Sequence, residues 1–149
     1  MSYSRSFMQN LHEQTNKKIK DEKIDKLVKA IYTDALQFAE RNSTKVFVFD
    51  FNQSYNYFGE LLIQSITNMG DYSIRIQLRK KDILDNMKEI LACLESIFPE
   101  CTISYKTVSI VKGKDGNDYD ISTLDDYLRE LIVDPTKVRK SDCIVIDWS

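Results

Sequence analysis

Glycine, proline and cysteine are scarce in this chain of 149 residues, which contains 4 Gly, 2 Pro and 3 Cys. So few glycines leave no material for a phosphate-binding loop, and neither G-x-G-x-x-G nor G-x-x-x-x-G-K occurs. The cysteines, Cys93, Cys101 and Cys143, are odd in number and form no C-x-x-C pair. We therefore expect reduced thiols rather than disulfides or a zinc site. We expect no cofactor, and the sequence favours a non-enzymatic protein.

A long apolar run and a strong net charge are also missing. No apolar stretch approaches the roughly 20 residues that a membrane span requires, and the first residues lack the apolar centre of a signal peptide. The net charge is −2, which argues against a globally basic nucleic-acid-binding protein. We therefore expect a cytoplasmic protein without a membrane partner.

Residues 1–23 are predicted to form a polar N-terminal arm or helix. Phe7, Met8 and Leu11 have helical spacing but form only a thin apolar stripe. An arm too polar to bury itself in its own core is often ordered by a neighbour. The sequence therefore predicts that Phe7, Met8 and Leu11 bind a protein partner or mediate self-association. The single histidine, His12, lies in this arm, without a second histidine with which to share a metal.

Residues 24–149 are predicted to form a single α+β domain. Apolar residues recur every three or four positions in residues 24–41, which indicates a helix, and every second position in residues 72–79, which indicates a strand. The predicted helices are residues 24–41, 57–68, 82–98 and a last one from Ser122, and the predicted strands are residues 45–52, 72–79, 102–111, 118–121 and 143–149. In residues 102–111 the apolar side chains occupy odd-numbered positions first, at Ile103 and Tyr105, and then even-numbered positions, at Val108 and Ile110. This shift predicts a β-bulge near Lys106 and Thr107.

The strands at residues 45–52 and 143–149 are predicted to be neighbours, because both are rich in β-branched and aromatic residues and suit the inside of a sheet. The strict alternation in residues 72–79 indicates a sheet with one solvated face. We therefore predict a two-layer α+β fold, with a mixed sheet of four to five strands and three to four helices packed mainly on one face. A three-layer α/β fold is the alternative.

Asp50 and Asp147 occupy matching positions near the carboxyl ends of these two strands. Open α/β sheets bind ligands at that end of the strands, so two carboxylates there would hold a magnesium ion for a nuclease or phosphatase. The remaining oxygen ligands would come from Asn52, Asp118, Asp120 or Glu60. The other interpretation is structural. If the side of Phe47 and Phe49 faces the core, both aspartates mark the solvated end of the opposite face.

Basic residues predict a different alternative, a nucleic-acid-binding sheet face. Arg75 and Arg79 alternate with apolar residues in one predicted strand, and Lys80 and Lys81 follow it. If Lys106 joined them from a neighbouring strand, the sheet would present a basic platform to phosphates. Basic residues on an open sheet face also serve solvation and edge protection.

Residues 24–48 and the closing Ile-Val-Ile-Asp-Trp resemble small uncharacterised α/β proteins of large DNA viruses and phages. In those proteins an amphipathic helix leads into a strand through a short polar turn, and the chain ends on a strand with Trp. The turn there often contains Gly, whereas here it is Arg41-Asn42-Ser43. The resemblance covers about half of the chain and implies no catalytic residues. It implies a viral setting, in the host cytoplasm or the virion.

The leading hypothesis from the sequence is a non-enzymatic structural or protein–protein interaction protein, as a viral assembly or virion component. One alternative is a nucleic-acid-binding protein that uses a basic sheet face. The other is a magnesium-dependent nuclease or phosphatase that uses Asp50 and Asp147.

Overall fold

A computed structural model describes residues 2–51, 61–67, 70–76 and 78–149, and for residues 62–67 and 70–76 it describes the backbone alone. The helices in these ranges are α1 (Arg5–Arg41), α2 (Lys80–Asp85), α3 (Met87–Ile97) and α4 (Asp126–Arg129). The strands are β1 (Val46–Asp50), β2 (Leu61–Thr67), β3 (Gly70–Ile76), β4 (Thr102–Lys112), β5 (Asp118–Asp120) and β6 (Arg139–Asp147). One 3₁₀ turn, Ile121–Thr123, precedes α4.

The longest element is α1, a helix of 37 residues in which the predicted arm and the predicted helix of residues 24–41 are continuous. It begins after Ser4, whose hydroxyl accepts a hydrogen bond from the N–H of Phe7 (3.1 Å). This bond satisfies one of the donors that a first helical turn leaves free. The buried residues of α1 start at Ile24 and end at Phe38, whereas residues 5–19 are all exposed. The predicted helix of residues 24–41 is confirmed, and the arm extends it.

Four strands form the main sheet, in the order β1-β6-β4-β5. All three pairs are antiparallel, so the prediction of a mixed sheet is wrong, but the predicted neighbours β1 and β6 do pair directly. One face of the sheet packs against α1 and α3. The core between them includes Leu27, Ile31, Phe47, Phe49, Ile90, Leu94, Ile144 and Ile146. The α+β class is confirmed, with the phenylalanine side of β1 facing the helices.

The opposite face of the main sheet is buried as well. Val48, Val145 and Cys143 are at most 6% exposed, and they form a second apolar cluster with Val108 and Ile110. The sheet is curled, because positions in β1 and β5, the two ends of the strand order, come within 8 Å of each other between Cα atoms. Curling brings the side chains of this face together, so they shield one another from water.

The change of apolar residues from odd-numbered to even-numbered positions along β4 does not come from the predicted bulge. The pairing of β4 with β6 continues without a break along the strand. Ile103 faces the helices, whereas Val108 and Ile110 face the second cluster. The bulge prediction is wrong because β4 buries only its helix-facing side near its start, whereas further along it buries both sides, with Val111 facing the helices.

Two predicted helices differ from the structure. Residues 61–67 form β2, which pairs with β3 in a separate two-stranded sheet, and residues 57–60 and 68 of that predicted helix lie outside the described residues. A short apolar run rich in Leu and Ile does not by itself distinguish a strand from a helix. The predicted helix at residues 82–98 is divided into α2 and α3 at Asn86, whose side chain donates to the carbonyl of Asp82 (2.7 Å).

The β4–β5 hairpin holds the C-terminal end of α1. The turn predicted at residues 114–117 lies between these strands, and the Tyr119 hydroxyl hydrogen bonds with Asn42 Oδ1 (2.7 Å) and with the carboxylate of Asp115. Gly113 lies close to the same ring, since a Cβ at this position would be 2.7 Å from Tyr119 Cε2. This junction fixes α1 against the main sheet. The predicted last helix is much shorter, with four residues in α4.

Candidate functional site

A buried charged cluster joins the two ends of the curled sheet. Asp50, at the end of β1, accepts hydrogen bonds from Ser141 Oγ (2.6 Å) and from Arg139 Nη2 (3.0 Å). The same nitrogen of Arg139 lies 3.2 Å from Asp118 Oδ2 in β5. The Asp50 side chain is 2% exposed, and those of Asp118 and Arg139 are 19% and 32% exposed. We call these four residues the Asp50 cluster; one guanidinium links β1, β5 and β6.

Burial and nearby charges act on the titratable groups around this cluster. Burial lowers the pKa of Arg139, but hydrogen bonds and charges from Asp50 and Asp118 outweigh it and raise that pKa above its ordinary value. Burial, together with the charges of the same two aspartates, raises the pKa of the Cys143 thiol to about 12. The Cys143 thiol is therefore protonated and unreactive at neutral pH.

Two atoms of the cluster are buried without a hydrogen-bond partner in the described ranges, Asp118 Oδ1 and Arg139 Nε. Lys112 Nζ lies 3.9 Å from Asp118 Oδ1, which is within ion-pair range but beyond hydrogen-bonding distance. Among the residues that the structure describes, no group of three or more His, Cys, Asp or Glu side chains is arranged to hold a metal. The positive charge between the carboxylates is that of Arg139, which is the arrangement of a structural ion network.

The two aspartates predicted to share a metal lie far apart. Because β1 and β6 are antiparallel, Asp50 lies opposite Cys143, and Asp147 lies opposite Val46. The two positions are therefore about 13 Å apart along the strands. Ser149 donates to Asp147 Oδ1 through Oγ (2.6 Å) and its N–H (2.8 Å), which holds the pKa of Asp147 below its usual value. The prediction that Asp50 and Asp147 share a magnesium ion is therefore wrong. The prediction that Asp50 lies at the solvated end of its sheet face is also wrong, because Asp50 is buried.

The predicted basic residues are divided among three elements. Arg75 lies in β3, Arg79 precedes α2, and Lys80 and Lys81 lie in the first turn of α2. Lys106 lies in β4. Because β3 and β4 belong to different sheets, Arg75 and Lys106 do not form one basic sheet face. Nucleic-acid binding stays a prediction, without the platform on which it depended.

The predicted partner-binding residues form an exposed apolar surface at the start of α1. Phe7, Met8 and Leu11 are 48%, 52% and 47% exposed. Tyr3 extends this surface, since it is 61% exposed and its ring stacks on Phe7 with the centroids 5.2 Å apart. We call Tyr3, Phe7, Met8 and Leu11 the arm surface.

The arm surface points away from the side of α1 that enters the core. Successive residues of an α-helix are rotated by about 100°, which puts Phe7 and Leu11 roughly 160° from the side of Leu27 and Ile31. The arm surface is therefore a second apolar side of the helix and not an unfinished part of the core stripe. Apolar side chains grouped on an exposed helix are typical of surfaces that bind proteins.

Sequence patterns missed most of the Asp50 cluster. The charges of residues 137–142 favour a loop, yet β6 begins at Arg139. One signal could have placed Arg139 and Ser141 on a buried face, namely the alternation that they share with Cys143 and Val145. No local signal connects them with β5, which comes from a distant part of the chain.

Comparisons with protein-family models, curated proteins and solved structures returned no match. By its fold the chain is an α+β protein, and the assignment of its function rests on its own residues. None of the helices in the described part of the chain combines the length and the apolar character needed to cross a bilayer.

Proposed function

We propose that this protein is a non-enzymatic structural or protein–protein interaction protein that binds a protein partner through the arm surface. The main sheet, α3 and the C-terminal part of α1 form the scaffold, and the N-terminal part of α1 presents the binding residues. The observation that carries the proposal is exposure. Each residue of the arm surface is between 47% and 61% exposed, on a helix whose core side lies elsewhere.

The chemistry of the arm surface suits a groove or a second helix on a partner. Phe7 and Leu11 are four residues apart, the spacing with which amphipathic helices place anchors in a partner. Between residues 2 and 11 the only charged residue is Arg5, so little charge is desolvated on binding. The Ser4 cap and the continuity with buried α1 hold the helix in its binding form, which reduces the entropy lost on association.

A viral setting and a role in virion assembly, in the host cytoplasm or the virion, are the finer part of this proposal. Their support is the sequence resemblance alone. The arm surface supports the coarser statement, a protein that acts by binding another protein.

The test compares the wild-type chain with a variant lacking residues 1–22 and with Phe7→Ser/Leu11→Ser. The first buried residue of α1 is Ile24, so we expect both variants to unfold cooperatively. We expect the deletion to lower the helical circular dichroism only by the contribution of the residues of α1 that it removes. We expect both to lose self-association in sedimentation velocity, and to lose the capture of partner proteins from an extract of the source cells.

Gln9→Ser/Asn10→Ser is the matched control, because these exposed residues lie on other sides of the same helical turns. It lowers helix propensity similarly and leaves the arm surface intact. Association that survives deletion of the arm would contradict the proposal. Equal losses in the control and in Phe7→Ser/Leu11→Ser would also contradict it, since helix stability would then explain the effect.

A further inference from the structure

We infer that the protein partner of α1 is a second copy of this chain, and that two α1 helices pair antiparallel about a two-fold axis. The inference rests on the proposed function, because it names the partner of the same helix. It draws on residues along the whole of α1 as well as on the arm surface.

An exposed stripe runs along α1 from the arm to the C-terminal end of the helix. Its members fall within a sector of about 60° around the helix axis. They are Phe7, Leu11, Gln14, Lys18, Asp25, Lys29, Tyr32 and Leu36. Tyr32 is partly buried and packs against the core, and the other seven are exposed. Leu36 is 49% exposed although the preceding Ala35 is 3% exposed. This α1 stripe is apolar at both ends and charged in the middle.

Antiparallel pairing makes the α1 stripe complementary to itself. With the two-fold axis at the middle of the stripe, the apolar residues of one copy lie opposite apolar residues of the other, and Lys18 lies opposite Asp25. The opposing pairs are Phe7 with Leu36, Leu11 with Tyr32, Gln14 with Lys29, and Lys18 with Asp25. The symmetry forms each pair twice. The interface then contains two apolar ends and two pairs of opposite charge.

A parallel arrangement lacks this complementarity. It places Lys18 against Lys18 and Asp25 against Asp25, and like charges in contact are unfavourable. Opposite charges across a helix pair set the orientation of the helices in other paired helices as well. The charge pattern of the stripe therefore selects the antiparallel dimer.

The area of the stripe predicts a weak dimer. From Phe7 to Leu36 the helix rises about 44 Å, and a contact about 10 Å wide gives a footprint of roughly 440 Å² on each copy. The total of about 900 Å² is below the ~1,200–2,000 Å² of stable complexes and within the range of transient ones. Asp21 and Glu22 lie near the axis, where the two copies bring like charges together. We expect a dissociation constant of about 10–100 µM.

Charge reversal in the full-length chain tests the pairing, measured by sedimentation velocity from about 5 to 500 µM. Lys18→Glu or Asp25→Lys alone converts both charge pairs into like-charge pairs, and we expect the dissociation constant to rise about tenfold. Lys18→Glu/Asp25→Lys restores opposite charges, and we expect a dissociation constant within about threefold of wild type. A mixture of the two single variants should form heterodimers, in which every pair is again of opposite charge.

Lys17→Glu is the matched control, because it is the same charge change on an exposed neighbour that lies about 100° from Lys18. A wild-type chain that stays monomeric over the whole concentration range overturns the pairing. Single reversals without effect also overturn it, and so does a combined variant that fails to recover. If any of these three outcomes occurs while Phe7→Ser/Leu11→Ser still abolishes partner capture, a second copy of the chain is excluded as the partner and the proposed function stands. If the arm variants also have no effect, both fail.

Discussion

Replacing Arg139 by Met removes the guanidinium that links β1 to β5 and keeps an unbranched side chain at the same place in β6. The carboxylates of Asp50 and Asp118 then face each other without the cation between them. Water can hydrate the carboxylate of Asp118, which is 19% exposed, better than that of Asp50, which is 2% exposed. The substitution therefore removes the ion pair with Arg139 from one deeply buried carboxylate.

The expected loss of stability follows from this geometry. Removing one partner of a buried ion pair destabilises a protein by about 3–5 kcal/mol. Arg139 is 32% exposed, and Asp50 keeps the hydrogen bond from Ser141 (2.6 Å), so the loss should lie near the lower limit, about 3 kcal/mol. With a urea dependence of about 2 kcal/mol per M, the midpoint of unfolding falls by about 1.5 M.

Urea unfolding followed by circular dichroism measures this change. Lys140→Met is the control, since Lys140 is the exposed neighbour on the other face of β6, and a surface substitution should change stability by less than about 0.5 kcal/mol. A loss of stability for Arg139→Met below about 1 kcal/mol, or equal to that of the control, would refute the view that Arg139 stabilises the curled sheet by linking β1 to β5. Asp50→Asn combined with Arg139→Met should also lose less than the sum of the two single variants.

Two further predictions concern the second apolar cluster and the hairpin. Burial raises the pKa of Cys143 from 9.0 to about 12, so on raising the pH the thiol ionises first in the unfolded chain. The contribution of the Cys143 thiol to the stability of the folded state is therefore complete below pH 9.0 and is lost as the pH rises towards 12. Relative to Cys143→Ala, the wild type should lose about 1.4 kcal/mol of unfolding free energy by about pH 10, and parallel pH curves for the two proteins would contradict this. Gly113→Ala places a Cβ 2.7 Å from Tyr119 Cε2 and from Asp115 Oδ1, so we expect a loss of about 1–3 kcal/mol in urea unfolding. The exposed Lys114→Ala is the control, and equal midpoints for the two variants would show that the hairpin accommodates the methyl group.

Local periodicity explains which elements were predictable. The helix of residues 24–41 has an apolar spacing that suits a helix only. The strands β1 and β6 contain short apolar runs, and their β-branched and aromatic residues favour strands. Residues 61–67 were predicted as a helix because their apolar run suits both a helix and a strand, and pairing with β3 decides between them. The binding role of Phe7, Met8 and Leu11 stays a prediction, and the sequence suggested it because they are large apolar groups in a polar arm.

The sequence by itself determined the α+β class, the arm and the side of β1 that meets the helices. Only the tertiary structure decided the surroundings of Asp50. Antiparallel pairing places Asp50 and Asp147 at opposite ends of the paired strands β1 and β6, and curling brings Asp118 and Arg139 to Asp50. Strand direction and sheet closure depend on contacts between residues that are distant in the chain, and no local period of apolar residues encodes such contacts.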